Sequence, residues 1–251
     1  MSDFGSVSTE AQKPKVKFSS DFIKTTSDHQ TVIRVLDDKP EVSWSHFVPK
    51  GHHAFPKTNN GKGMSFMCPG SKVCPICAWN STQKAKDPTT KDVLNARKLY
   101  TFNVLERTKV VVCPSCGAEH YEKASTYPDV CDCGANLASI EPTPREKVMI
   151  MQKGRKVVEQ LQTFEADKDF GDLREYDIKL DTRGQGTEMT TTCVPRNKQK
   201  LDLVKTLGAD WKTKLHDIKQ IATPLKPSQI QEILDGKDFY STVKANEPKG
   251  S

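Results

Sequence analysis

No apolar run in this 251-residue chain approaches the ~20 residues a membrane helix needs, so a membrane-spanning role is disfavoured. The chain has no P-loop, no paired-carboxylate motif and no internal repeat, which argues against a nucleotide-driven enzyme and against a solenoid. Met1 to Ser20 is polar and lacks the apolar segment of a secretory signal, so a reducing, cytoplasmic setting is expected. Acidic residues are in deficit, 32 against 38 Lys and Arg, for a formal charge of +6. The deficit is local: between Glu41 and Val110 there are eleven Lys and Arg against four Asp and Glu. A positive field among aromatic side chains is a footprint for a phosphate backbone.

What the chain does have is cysteine, eight residues, seven of them in two clusters. The second cluster is Cys113-Pro-Ser-Cys116-Gly answered by Cys131-Asp-Cys133-Gly. Closely spaced thiolates on tight turns present pairs of sulfurs to one tetrahedral Zn²⁺, and a following Gly lets the backbone turn beneath the metal. Cys113, Cys116, Cys131 and Cys133 thus complete a four-thiolate ribbon. The first cluster, Cys68-Pro-Gly-Ser-Lys-Val-Cys74-Pro-Ile-Cys77, has three sulfurs and needs a fourth ligand. A hairpin of Val42 to Val48 with Met64 to Cys68, centred near Phe55 to Thr58, sets His46 almost opposite Cys68. That favours His46 over His52 and His53, which fall toward the loop tip. Both sites are then fully ligated by protein, so the expectation is two structural Zn²⁺ ions and no enzyme. The single His-x-Glu, His120-Tyr-Glu122, precedes a Cys131-Asp-Cys133 that is too short and lacks the Pro of a zinc deaminase. Cys193 is left over and reads as a small buried residue.

Strand-like runs cover Thr31 to Leu36, Val42 to Val48, Met64 to Cys68, Lys98 to Leu105, Val110 to Val112 and Lys147 to Gln152. A further hairpin joins Tyr176 to Arg183 with Thr187 to Val194 across Gly184-Gln-Gly186. Apolar residues Val157, Val158, Leu161 and Phe164 mark a helix within Gly154 to Asp167. Asn80 to Ala96 reads as partly helical, interrupted at Pro88. The expected class is mainly β with flanking helices (α+β), an OB-type Greek-key barrel, although other small β-barrels share these strings. Its parts would be a disordered basic arm (residues 1–20, with Lys13, Lys15 and Lys17) and a core (21–200). That core would hold the one-histidine, three-cysteine knuckle (46–77) and the inserted ribbon (110–138). A helical C-terminal region with a loose tail (201–251) would follow, broken at Pro224 and Pro227.

His46-Phe-Val-Pro, Cys68-Pro-Gly with Cys74-Pro-Ile-Cys77, and Phe170-Gly-Asp-Leu-Arg-Glu-Tyr-Asp-Ile-Lys-Leu-Asp-Thr-Arg-Gly-Gln-Gly-Thr187 together resemble the single-stranded DNA-binding proteins of tailed bacteriophages. These include the helix-destabilising protein of T4-like phages, an OB fold whose zinc is held by one histidine and three cysteines. The resemblance covers roughly residues 30 to 235. It implies sequence-independent coating of single-stranded DNA in phage replication, recombination and repair, in the cytoplasm of an infected bacterium. It also implies contact with replication or recombination enzymes, and the Lys13-x-Lys-x-Lys17 arm is similar to one that supports cooperative self-association on DNA. Two features depart from the T4-like pattern: Glu247-Pro-Lys-Gly-Ser251 is not acidic, and the ribbon has no counterpart, so its role does not carry over.

Coating a single strand needs cations along the phosphates and rings on which bases lie. The candidates are Arg34, Trp44, Lys50, Phe55, Lys57, Lys72, Arg97, Lys98, Tyr100, Phe102 and Arg107, with Phe55 in a loop suited to a flap over DNA. Trp44, His46 and Val48 share one strand face and Phe47 the other, so Trp44 and Phe47 cannot both meet the same strand of DNA. Phe66 and Phe102 are equally suited to the core. The alternative function is a zinc-ribbon transcription or RNA-associated factor.

Overall fold

The computed structural model describes residues 21–23, 25, 30–122, 126–184 and 189–244. The expected basic arm, the end of the Gly184-Gln-Gly186 turn and the expected loose tail beyond 244 lie outside the described residues. The strands are β1 (Thr31–Val35), β2 (Glu41–Val48), β3 (Met64–Met67), β4 (Arg97–Glu106), β5 (Lys109–Val112), β6 (Glu119–Tyr121), β7 (Thr143–Pro144), β8 (Lys147–Gly154), β9 (Tyr176–Arg183) and β10 (Thr190–Lys198). The helices are α1 (Thr58–Gly61), α2 (Pro75–Lys86), α3 (Arg155–Ala166), α4 (Leu203–Leu207), α5 (Ile218–Ala222), α6 (Pro227–Leu234) and α7 (Phe239–Lys244), with a 3-10 turn at Trp211–Lys214. The class is α+β, mainly antiparallel sheet. Among the described residues no helix is long and apolar enough to cross a membrane. The chain forms two compact units, one from Met1–Pro40, Phe102–Gln152 and Lys156–Ile218, the other from Glu41–Thr101, Lys153–Arg155 and Lys219–Ser251.

In the first unit β10, β9, β1 and the latter half of β4 pair in that order, and β8 also pairs β4. Ile33 faces Glu106 on one side and Ile178 on the other, and Cys193 faces Leu180. Ile33, Val104, Leu105, Ile150, Met151, Ile178 and Leu180 are all essentially inaccessible to water. Helix α3 buries Val157, Val158 and Leu161 of the stripe read from the sequence, and its fourth member, Phe164, is half-buried. The Greek-key barrel of OB type expected from the sequence does not close among the described residues, because β10 pairs only β9. Two groups on its outer edge are met by a side chain instead of a strand: Gln160 of α3 donates to the Thr191 carbonyl and accepts from the Cys193 amide. A separate three-stranded sheet, β6-β5-β7, carries the ribbon, and Arg145 ties it to β4 through Glu119 and Glu106.

In the second unit β3, β2 and residues 97–101 of β4 form the sheet. Val48, Phe66, Cys74 and Ile76 pack there against Ile230, Ile233 and Leu234, the apolar stripe of α6. Gly63 closes the β2–β3 hairpin, where an added Cβ would lie 2.9 Å from the Lys50 backbone nitrogen. Helix α2 begins at Pro75, earlier than the sequence pattern placed it, with Cys74 as its N-cap.

Candidate metal centres and nucleic-acid interface

The ligand atoms of His46, Cys68, Cys74 and Cys77 lie within 4.8 Å of one another, and so do those of Cys113, Cys116, Cys131 and Cys133. In the first group β2 supplies His46, the end of β3 supplies Cys68, and the first turn of α2 supplies Cys74 and Cys77. The hairpin register differs by two residues from the expected one. His46 pairs with Phe66, while the Cys68 amide bonds the Trp44 carbonyl, so His46 and Cys68 are diagonal neighbours on one face. The Cys68 and Cys77 sulfurs are 3.7 Å apart. Sulfurs bonded at about 2.3 Å to one tetrahedral ion sit about 3.8 Å apart, whereas a disulfide would bring them to about 2 Å.

The histidine is held for this task. His46 Nδ1 lies 2.6 Å from the Leu94 carbonyl, to which it donates, so the Nε2 lone pair faces Cys77 at 3.2 Å. Asn80 of α2 in turn grips Leu94 from both sides, donating to its carbonyl at 2.9 Å and accepting from its amide at 2.8 Å. Burial, then the hydrogen bond with Cys68 and the neighbouring sulfurs, pushes the Cys77 thiol up to about 12. Crowded sulfurs cannot all ionise unless a cation joins them, so ion binding here must release protons. Asn80→Ala is expected to weaken metal retention about tenfold, the lower end of what outer contacts of metal ligands are worth, measured by competition with a chromogenic chelator. Retention equal to that of the unmodified chain would show that Leu94 holds its place without Asn80.

In the ribbon, Cys113 and Cys116 stand on one turn and Cys131 and Cys133 on another. Each turn is closed by the amide of a left-handed glycine, Gly117 to the Cys113 carbonyl and Gly134 to the Cys131 carbonyl. Cys113–Cys133 and Cys116–Cys131 sulfurs are each 3.6 Å apart. The Cys116 amide, aimed at its sulfur, brings the Cys113 thiol down to about 6. Val111, Cys113, Cys131 and Leu137 give the ribbon a small core of its own. His120, dismissed as a catalytic motif, packs Nε2 3.2 Å from the Cys131 sulfur as a hydrogen-bonding neighbour.

The candidate DNA contacts divide sharply. Val42 faces Tyr100 across β2 and β4, and Trp44 faces Lys98, so four side chains form a square on one sheet face. Trp44 is 51% exposed and Val42 44%. Lys98 Nζ lies 5.1 Å from the Tyr100 ring centre, a cation–π contact that holds charge beside a flat ring. Lys50, Lys57, Lys72 and Arg97 are exposed in the same unit. Phe47 is 53% exposed on the opposite strand face.

Three candidates lie in the first unit, Phe102 and Arg34 buried and Arg107 partly exposed. Phe102 is 3% exposed and belongs to the core, as Phe66 does in the second unit. Arg34 is 2% exposed, bonded to Asp177 at 2.8 Å and to the Arg174 and Gln199 carbonyls. Arg107 binds the other Asp177 oxygen at 3.0 Å and Glu146 at 3.2 Å. A phosphate would have to displace a carboxylate to reach Arg34, which is structural, while Arg107 is partly exposed and already engaged by two carboxylates. Phe55 is no open flap: it packs against the core of the second unit, and its ring joins those of His52 and Trp79. Sequence reasoning missed His53, Trp79 and Asp92 around that ring group, since side chains from a loop, from α2 and from the stretch after it leave no spacing signal. No protein-family model and no curated protein matches the chain.

Proposed function

We propose that this chain is a sequence-independent single-stranded DNA-binding protein of replication and recombination, built around two structural zinc ions. The observation that carries the reading is the open Val42–Trp44–Lys98–Tyr100 square. A large indole half in water is costly to leave bare, and beside a lysine and a tyrosine it offers both components of single-strand binding. Zinc suits the donor sets, since four thiolates, or three and an imidazole, at tetrahedral separations leave no position for a reacting water. The knuckle's part is to fix β2 and β3, and so to hold Trp44 beside Lys98. The open sheet then serves where a closed OB barrel would, and replication or recombination enzymes are its partners.

The test is binding of oligo-dT, duplex DNA and single-stranded RNA across a salt series. Tight binding to oligo-dT with quenching of tryptophan emission is expected, and Trp44→Ala should weaken it about tenfold, one base–ring stack. Lys98→Gln should flatten the salt slope by about one. Preference for RNA or duplex would overturn the proposal and favour the ribbon-centred factor, for which the exposed Val112 and Val130 beside the second cluster would be the contact surface.

A further inference from the structure

Apart from the open square, the second unit carries a stack of rings that ends in solvent. His52 is the middle ring, with Phe55 stacked on it at 5.7 Å and 22° and His53 at 4.7 Å and 28°. Trp79 of α2 stands across His52, His53 and Phe55 at 5.2, 6.0 and 5.5 Å, so the stack is braced from the side. The inner end is anchored in the core by Phe55, and the His52 side chain is only 9% exposed. The outer ring, His53, is 66% exposed, and its Nε2 is held 3.1 Å from Asp92.

The His52, His53 and Asp92 ligand atoms lie close enough to hold a metal, but the hydrogen bonding opposes it. His52 Nδ1 accepts the Ala54 amide at 3.3 Å, which puts the ring proton on Nε2, the atom facing Asp92 at 3.9 Å. A metal at Nε2 would move that proton to Nδ1 and set it against the Ala54 N–H. Burial, and then the adjacent His53, also lowers the His52 pKa, so this ring is neutral at neutral pH and stacks as an uncharged plane. A phosphate is equally unsuited to this end, because Asp92 repels it. A flat, neutral, heteroaromatic group is not repelled. The exposed Lys50 and Lys91 flank the cluster in sequence and suit the phosphates on either side of such a group.

We propose that the exposed face of His53, at the end of the Phe55–His52–His53 stack, is a nucleobase-stacking subsite distinct from the Trp44–Tyr100 square. The proposal rests on the single-strand reading and deepens it. Binding there is favoured because Trp79 and Asp92 already hold the ring, so little side-chain entropy is lost when a base arrives.

The experiment compares the full chain with His53→Ala, His53→Phe and Trp44→Ala, using anisotropy of labelled oligo-dT, with zinc content and melting temperature as controls. His53→Ala should weaken binding about tenfold with an unchanged salt slope, because a ring and not a phosphate contact is lost. His53→Phe, which keeps a flat face, should bind within about twofold of the unmodified protein. If His53→Ala binds like the unmodified protein while Trp44→Ala is weakened, this subsite falls and the single-strand reading stands. If His53→Phe loses as much as His53→Ala, the imidazole nitrogens matter more than the face, and stacking is overturned. If the unmodified chain shows no preference for oligo-dT, both readings fall together.

Discussion

On the two-zinc proposal, Cys77→Ser is expected to lower bound zinc from two ions per chain to one and to loosen the whole second unit. The size of the effect follows from where the ligands sit. Cys74 and Ile76 are 1% and 0% exposed and share one core with Val48, Phe66 and the α6 residues Ile230 and Ile233. An ion held by His46, Cys68, Cys74 and Cys77 would therefore join β2, β3 and α2 at the point where their apolar faces meet. Structural zinc contributes on the order of 10 kcal/mol in small domains, comparable with the total stability of a domain, so losing one thiolate removes much of what holds the unit. The Trp44 square loses its support in the same step, and oligo-dT binding should fall with it. Cys116→Ser should also release one ion, yet leave the second unit folded, because the ribbon's core of Val111, Leu137 and their cysteines is its own. Zinc stoichiometry with limited proteolysis separates the two outcomes. Equal protease resistance of Cys77→Ser and the unmodified chain would show that the knuckle is dispensable to the second unit.

Sequence legibility followed range. The cysteine turns were readable because their geometry is closed within a few residues: Gly117 and Gly134 adopt the left-handed backbone that the Cys-Gly pairs required. The strands and the α3 stripe were readable from period alone, although β6 and β7 were too short to leave one. His46 was reached by pairing two strands, and it does lie with Cys68, Cys74 and Cys77, although the register was displaced by two residues. Reading failed where a distant partner decides a side chain's fate. Arg34 and Asp177 are 143 positions apart, so nothing local distinguishes Arg34 from a surface cation. Phe102 was ambiguous because β4 is covered on both faces from Thr101 onward, which erases the inside–outside alternation. Barrel closure was misread for a similar reason, since β10 pairs only β9 and a distant side chain, Gln160 of α3, takes two groups of its outer edge. The exposed end of the His53 stack needed three segments, and no single window of sequence contains them.

Asp177→Ala should destabilise the first unit by about 3–5 kcal/mol, the cost of leaving buried charge without its counter-ion. One carboxylate here serves two cations: Oδ1 takes Arg34 at 2.8 Å and Oδ2 takes Arg107 at 3.0 Å, with Arg34 almost wholly buried. Arg107 retains Glu146, and among the described residues Arg34 retains only carbonyl oxygens, so the penalty falls mainly on Arg34. Asp177→Asn should cost less, because its side-chain oxygen still accepts from one guanidinium while the charge is lost. Combining Asp177→Ala with Arg34→Met should recover part of the loss, since the orphaned cation is then gone, and a double-mutant cycle by urea denaturation measures that coupling. The same variants separate the structural role from the DNA-contacting role first read from the sequence. Were Arg34 a phosphate contact, Arg34→Met would flatten the salt slope of oligo-dT binding and leave the urea midpoint unmoved. The buried arrangement demands the opposite: a lower midpoint, an unchanged salt slope in whatever fraction remains folded, and a positive field supplied by Lys98 and its exposed neighbours on the second unit.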